Sequence, residues 1–293
     1  MKVAAIGEAM IELSMVGDVP QIGVAGDTLN TAIYLKRTAP DLTVDYVTRL
    51  GGDAFSQRIA DFIAAQGVGT DAIERDADKT CGLYGITTDA TGERTFTYWR
   101  SQSAARSVFS GPAGVSFDWL GGYDVIYLSG ISLAIPPPET RDELLHWLAI
   151  YRTQGRRVVY DSNYRPALWP DQATAQAVTR SMWHMCDIAL PSQDDEAAIF
   201  DETLDAVATR FVGMGKTGAL KRGPEGPLCL LTGQAHSYEA AAHVVDTTAA
   251  GDSFNGGYLG ALLQGADQVT ALRTGHDLAA RVVGQHGAII PAD

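Results

Sequence analysis

The sequence predicts an α/β protein, a three-layer α/β/α domain around a mostly parallel central sheet, with a small β-sheet lid. Three observations carry that prediction. Short apolar runs alternate with helical patterns along most of the chain, as βαβ units require. One stretch, 80–100, breaks the alternation with two β-rich arms and no helix. The 293 residues contain no long linker, low-complexity tract or internal repeat, so one domain over 1–293 is expected.

Taken in order, apolar runs at 3–6, 43–48, 125–129, 158–161 and 188–191 predict strands. Helical periodicity falls at 28–38, 54–66, 139–152 and 172–185. Asp171 is placed to cap the last of these, and Pro138 in PPPE opens the third, where a proline loses no hydrogen bond. GMGKTG at 213–218 holds both GxGxxG and GKT, but a helical pattern precedes it and a strand–turn–strand pattern follows. That context makes it a helix-ending loop, neither a P-loop nor a dinucleotide fingerprint.

The interrupting stretch reads TCGLYGITTDATGERTFTYWR, a hairpin turning at DATGE. Period two puts Phe96, Tyr98 and Arg100 on one face of its second arm. An antiparallel lid over the sheet's carboxyl edge and an extra edge hairpin packed on the core both fit. The lid is assigned to about 80–103 with a short N-terminal segment, about 10–24.

A net charge of -13 argues against a nucleic-acid partner, although a few local cations can still draw a small anion into a cleft. Cys81, Cys186 and Cys229 form no CxxC, and the six histidines show no ligand-type pairing, so reduced thiols and no zinc site are expected. The N-terminal run MKVAAIGEAMIEL is broken by Glu8 and Glu12, too short for a signal peptide or a membrane span. A cytoplasmic protein without a membrane partner is expected.

The chemistry concentrates in VVDTTAAGDSFNGGYLGALL, 244–263. A strand-like valine pair runs into Thr247, Thr248, Ala249, Ala250 and Gly251, then Asp252, then a helical pattern starting at or just after Gly251. Free N–H groups at a helix start make an anion site, and small residues let a phosphate approach them. The same positive potential is expected to keep Asp252 ionised and able to accept a proton. A plain Asp N-cap fits the stretch equally well. KRGPEG at 221–226 adds a strand end of the K-x-G-x-x-G form, which alone is also a simple hairpin turn.

Together these residues resemble the carbohydrate kinases of the ribokinase-like, or PfkB, family. Asp246-Thr247-Thr248-Ala249-Ala250-Gly251-Asp252 matches the family's D-T-x-G-A-G-D, with Ala249 in place of the usual Gly. Gly26-Asp27-Thr28-Leu29-Asn30 stands at the family's Gly-Gly…Asn segment, and Gly51-Gly52-Asp53-Ala54-Phe55 at its G-x-D-x-F. The resemblance covers essentially the whole chain. YWRSQSAAR at 98–106 and the ending GAIIP are similar to members acting on the sugar acid 2-keto-3-deoxygluconate.

The resemblance implies transfer of the ATP γ-phosphate to the acid's terminal (6-) hydroxyl. Asp252 would be the general base, and the backbone N–H groups of Ala249, Ala250, Gly251 and Asp252 an anion hole. Gly26, Asp27 and Asn30 would hold sugar hydroxyls, and Tyr84, Tyr98, Arg100 and Arg165 the acid end. Arginine offers two-point contacts to a carboxylate, although either arginine could instead be a surface ion-pair partner. Asn163, Ser192, Lys221, Gly223 and Gly226 would line the nucleotide side. Asp195 and Glu196 compete as magnesium-associated acids, a monovalent cation is left open, and a dimer through the lid is expected. A neutral-sugar kinase such as a fructokinase or ribokinase, and a silent sugar-acid-binding protein, are the rivals.

Overall fold

The computed structural model describes residues 1–16, 19–88, 94–111 and 114–292. Its strands are β1 (Lys2–Ile6), β2 (Met10–Val16), β3 (Val19–Ala25), β4 (Thr43–Gly51), β5 (Ile73–Asp76), β6 (Gly82–Thr88) and β7 (Arg94–Trp99). They continue with β8 (Ser110–Gly111), β9 (Gly114–Val115), β10 (Val125–Ser129), β11 (Arg157–Asp161), β12 (Ile188–Leu190), β13 (Thr217–Leu220) and β14 (Leu228–Cys229). The helices are α1 (Asp27–Thr38), α2 (Ala54–Ala65), α3 (Gly130–Ala134), α4 (Pro138–Thr153) and α5 (Gln172–Met185). After them come α6 (Gln193–Phe200), α7 (Leu204–Met214), α8 (Ala250–Leu263) and α9 (Gln268–Val283).

The central sheet runs β14-β13-β12-β11-β10-β1-β4-β5 and is parallel except for the β13–β14 pair. Its inner strands β1, β10, β11 and β12 are largely apolar on both faces because helices cover both. In β1, Val3 and Ala5 join one core with α1, α2, α8 and α9, while Ala4 and Ile6 join the opposite core with α4, α5, α6 and α7. From β1 the chain builds outward to β4 and β5 on one side and to β10 and beyond on the other. The β1–β10 boundary is therefore the switch point, where ligands enter at the strands' carboxyl ends. Polar residues cluster there: Glu8 just past β1, Ser129 ending β10 and Asp161 ending β11.

The expected strands and helices are present. Asp171 accepts from the Thr174 N–H at 2.7 Å, and Pro138 opens α4. GMGKTG ends α7, with Gly215 turned to φ 59 before β13 begins. β4 runs on to Gly51 because β5, which no sequence pattern marked, pairs with its last four residues. Val244 and Val245 belong to no strand and are exposed.

A second sheet, β3-β2-β6-β7, stands apart from the first. It joins the hairpin arms β6 and β7 to the N-terminal strands β2 and β3: β2 pairs with β6 in parallel, and only the outer pairs are antiparallel. The DATGE turn, 89–93, lies outside the described residues. Cys81, Cys186 and Cys229 are free, and among the described residues no helix is long and apolar enough to cross a membrane.

Candidate active site

α8 begins at Ala250, so Asp252 is its third residue. The N-cap position belongs to Ala249, held at φ 59, and no side chain caps the helix. The simple-cap alternative for Asp252 therefore fails. The first-turn N–H groups lack intrahelical acceptors, although that of Ala250 is taken by the Thr247 carbonyl at 3.2 Å. The open donors are thus fewer than the four residues expected from the motif.

Asp252 instead accepts from Asn30 Nδ2 at 2.8 Å. α1 reaches it because α8 packs almost backbone to backbone against it: a Cβ on Gly256 would stand 2.5 Å from Tyr34 Cβ. Thr31 Oγ1 adds a bond of 3.2 Å to the Asp252 carbonyl. Burial pushes the Asp252 carboxyl up to about 8, helped by Asp27 and Asp161 and opposed by Asn30 and Lys221. That overturns the expectation of a carboxylate kept ionised by the helix start. A helix terminus contributes about 0.3–1 kcal/mol, too little against desolvation and two like charges.

At the start of α1, Gly26 caps the helix and packs where its Cβ would meet the Glu8 carbonyl at 2.2 Å. Asp27, the first residue of α1, accepts from Ser129 Oγ and, at 2.8 Å, from Asn163 Nδ2. Asn163, expected to line the nucleotide side, is held beside Asp27. Its backbone, at φ 26 in the loop after β11, turns it to Asp27. The Asn30 Oδ1 is buried without a partner, an idle acceptor for a substrate hydroxyl.

The second sheet leans over this floor. Tyr84 is buried with Met10, Ala25 and Ala288, and Ala249 packs against that cluster, linking the sheet to the opening of α8. Tyr84 and Tyr98 rings lie 5.8 Å apart, and Phe96 stacks on Tyr98 at 6.4 Å, as the period-two pattern required. The Tyr84 hydroxyl donates to Glu12, directly opposite it on β2. Arg100 is buried and ion-paired with Glu8, so it is not an open cation. Arg165 is exposed, donates to the Tyr164 carbonyl at 2.8 Å and lies 3.8 Å from Asp195. The two arginines thus belong to different clusters.

Lys221, just past β13, donates to Asp161 Oδ1 at 2.7 Å, and Asn255 Nδ2 donates to Asp161 Oδ2 at 2.7 Å. A Cβ on Gly251 would come 3.6 Å from Lys221 Nζ, which sets that ammonium over the start of α8. Ser192 opens α6 and bridges to Lys221, its N–H bonded to Ser162 Oγ at 2.9 Å. Gly226, at φ 74, packs where a Cβ would stand 2.6 Å from the Tyr238 ring, while Gly223, at φ 54, faces solvent.

The two acids of α6 part company. Asp195 accepts from Ser162 Oγ at 3.4 Å, and burial and then Asp161 raise its pKa. Glu196 is fully buried in the other direction, bonded to Trp183 Nε1 at 3.1 Å and Arg210 Nη2 at 3.0 Å, with burial pushing it up to about 7. It is a core residue, and the magnesium expectation for Glu196 is withdrawn.

Glu8, Glu12, Ser129 and Asp161 were not singled out as site residues in the sequence. Glu8, Ser129 and Asp161 are polar residues ending apolar runs at or just past a strand's carboxyl end, which is the signal that marks them, whereas Glu12 interrupts the apolar run of β2.

The model of the pfkB family carbohydrate kinases matches residues 1–293. The chain is 44% identical to 2-dehydro-3-deoxygluconokinase of Dickeya dadantii (strain 3937), covering 99% of this chain and 97% of the relative. It is 41% identical to the Escherichia coli (strain K12) protein of the same name, covering 100% and 98%. Among solved structures, fructokinase with bound ATP from Xylella fastidiosa superposes with a TM-score of 0.81 at 21% identity, covering 98% of this chain and 93% of the other.

Proposed function

The chain belongs to the pfkB family of carbohydrate kinases, and from that premise we propose that it phosphorylates 2-keto-3-deoxygluconate (2-dehydro-3-deoxygluconate). The γ-phosphate of ATP goes to the terminal (6-) hydroxyl, giving 2-keto-3-deoxy-6-phosphogluconate. The observation that carries this is the Asn30–Asp252 bond at the opening of α8, a carboxylate of raised pKa beside free backbone donors. Full-length identity to proteins named for this substrate supports the sugar acid.

In this reading Gly26, Asp27 and Asn30 hold sugar hydroxyls, and Asn163 steadies Asp27. Asp252 takes the proton from the attacking hydroxyl, while the first-turn N–H groups of α8 and the Lys221 ammonium meet the phosphoryl oxygens. Tyr84, Tyr98, Arg100 and Arg165 close on the acid end, and Ser192, Lys221, Gly223 and Gly226 line the nucleotide. Asp195 is the residue that would hold magnesium through water, and the ion would supply charge neutralisation on the phosphates. The second sheet is the lid, excluding water that would otherwise compete as acceptor. The enzyme works in the cytoplasm as a homodimer through that lid.

A neutral-sugar kinase is the second reading, favoured by one observation: Arg100 is already neutralised by Glu8. ADP release with ATP and magnesium separates the two, comparing 2-keto-3-deoxygluconate, fructose and ribose on wild type and Asp252→Asn. Turnover with the acid is expected, falling by about 10²–10⁴ in the variant as loss of a general base does. Turnover confined to fructose or ribose would overturn the substrate and leave the chemistry standing.

A further inference from the structure

Glu8 stands just past β1 and is 1% exposed, at the floor of the cleft. Three separate parts of the chain converge on it. Gly26 packs on its backbone, and Gly82 leaves room for its side chain, since a Cβ there would meet Glu8 Oε1 at 2.7 Å and Arg100 Cβ at 3.3 Å. Arg100 donates to it from the base of the lid. Gly26 directly precedes Asp27, so its packing on Glu8 sets the ion pair beside the start of α1.

The pair is not saturated: Glu8 Oε1 and Arg100 Nε are both buried without hydrogen-bond partners. A buried ion pair contributes little net stability, and idle charged atoms make it worse than an apolar pair of the same shape. The arrangement gains a purpose if a further group arrives. A bare guanidinium here would have no partner to fix its orientation. Held by Glu8 at one nitrogen, it keeps a fixed orientation with its ordering cost already met.

Building on the sugar-acid reading, we propose that Glu8 is a positioning residue for specificity: it fixes one edge of Arg100 so that the rest of the guanidinium meets the substrate's carboxylate prealigned. Glu8 does not touch the reacting atoms, so its effect falls on binding of the acid and not on phosphoryl transfer.

A double-mutant cycle tests this with wild type, Glu8→Gln, Arg100→Leu and the double variant, measuring kcat and KM for the acid and for ATP. Glu8→Gln is expected to raise KM for the acid about fivefold, the gap between a charged and a neutral hydrogen bond. kcat and KM for ATP should stay within about twofold, and the Glu8 effect should vanish in the Arg100→Leu background. Gly82→Ala, which crowds Oε1 but leaves both charges, should raise the same KM and covers the case of a Glu8 variant that does not fold. An unchanged or lowered KM would mean that Glu8 competes with the substrate for Arg100, and overturns the proposal. So would a rise that persists without Arg100, which is the mark of a merely structural role. Wild type that turns over only neutral sugars would overturn the sugar-acid reading and this inference with it, whereas acid turnover insensitive to Glu8 sinks this inference alone.

Discussion

At Asp252 three effects compete: burial and the neighbouring Asp27 and Asp161 charges favour the protonated acid, while Asn30 and Lys221 favour the carboxylate. Burial and like charge win. As the proposed base, Asp252 works only when ionised, so kcat/KM should climb with pH through about 8 and level off above it. Asp27→Asn removes the largest charge effect and should move that rise to lower pH, read from a pH–rate profile. Stability follows the same linkage with a definite sign. The folded pKa lies above the unfolded one, so the proton's stabilising contribution is complete below about 4 and is lost as pH rises through about 8. Asp252→Asn escapes that loss, and its melting temperature should gain on wild type between pH 5 and 8.5. Ala249 poses a separate residue-scale question, because φ 59 suits glycine. Left-handed backbone costs alanine about 1–2 kcal/mol, and glycine's extra unfolded freedom offsets about 0.4–1 kcal/mol. Ala249→Gly should therefore stabilise the fold by about 0.5–1 kcal/mol in chemical denaturation. A loss of stability would show that the methyl contributes packing against the Tyr84 cluster.

At the scale of elements, the site depends on how closely α8 approaches α1. Gly256→Ala would drive a methyl to 2.5 Å from Tyr34 Cβ and 2.8 Å from the Leu35 nitrogen. The helices must separate, and Asn30 moves from Asp252 with them. The expected cost is about 1–3 kcal/mol of stability, as for other overpacked contacts, with a fall in kcat/KM measured on the folded fraction. Unchanged kinetics would show that Asn30 does not depend on this spacing. α6 gives the complementary lesson. Asp195 and Glu196 are adjacent, yet about 100° of helical rotation aims one toward the cleft and the other into the Trp183–Arg210 core.

For the whole molecule, the lid sheet is the feature with surface left over. Met15, Ile22 and Trp99 are 51%, 42% and 59% exposed and, by strand alternation and register, lie on the face opposite Tyr84. Apolar groups collected on one sheet face suit a second copy of the chain. Sedimentation should find a wild-type dimer that Trp99→Lys shifts to monomer. A monomeric wild type at micromolar concentration would sink the dimer.

By itself the sequence determined the layered α/β architecture, the helix starts at Asp171 and Pro138, the loop character of GMGKTG, and the two ends of the family motif. These are local properties, set by periodicity, capping chemistry and the backbone needs of small residues. It also marked the lid through an absence of helix, but could not show that β2 joins β6, because strand pairing depends on partners far along the chain. Nor could it choose between Asp195 and Glu196, seat Asn163 beside Asp27, or show that Arg100 arrives with Glu8 attached. Only the tertiary structure decided the protonation of Asp252, since a carboxyl's pKa follows from the burial and charges that folding brings around it, and Asp27 and Asp161 come from distant segments.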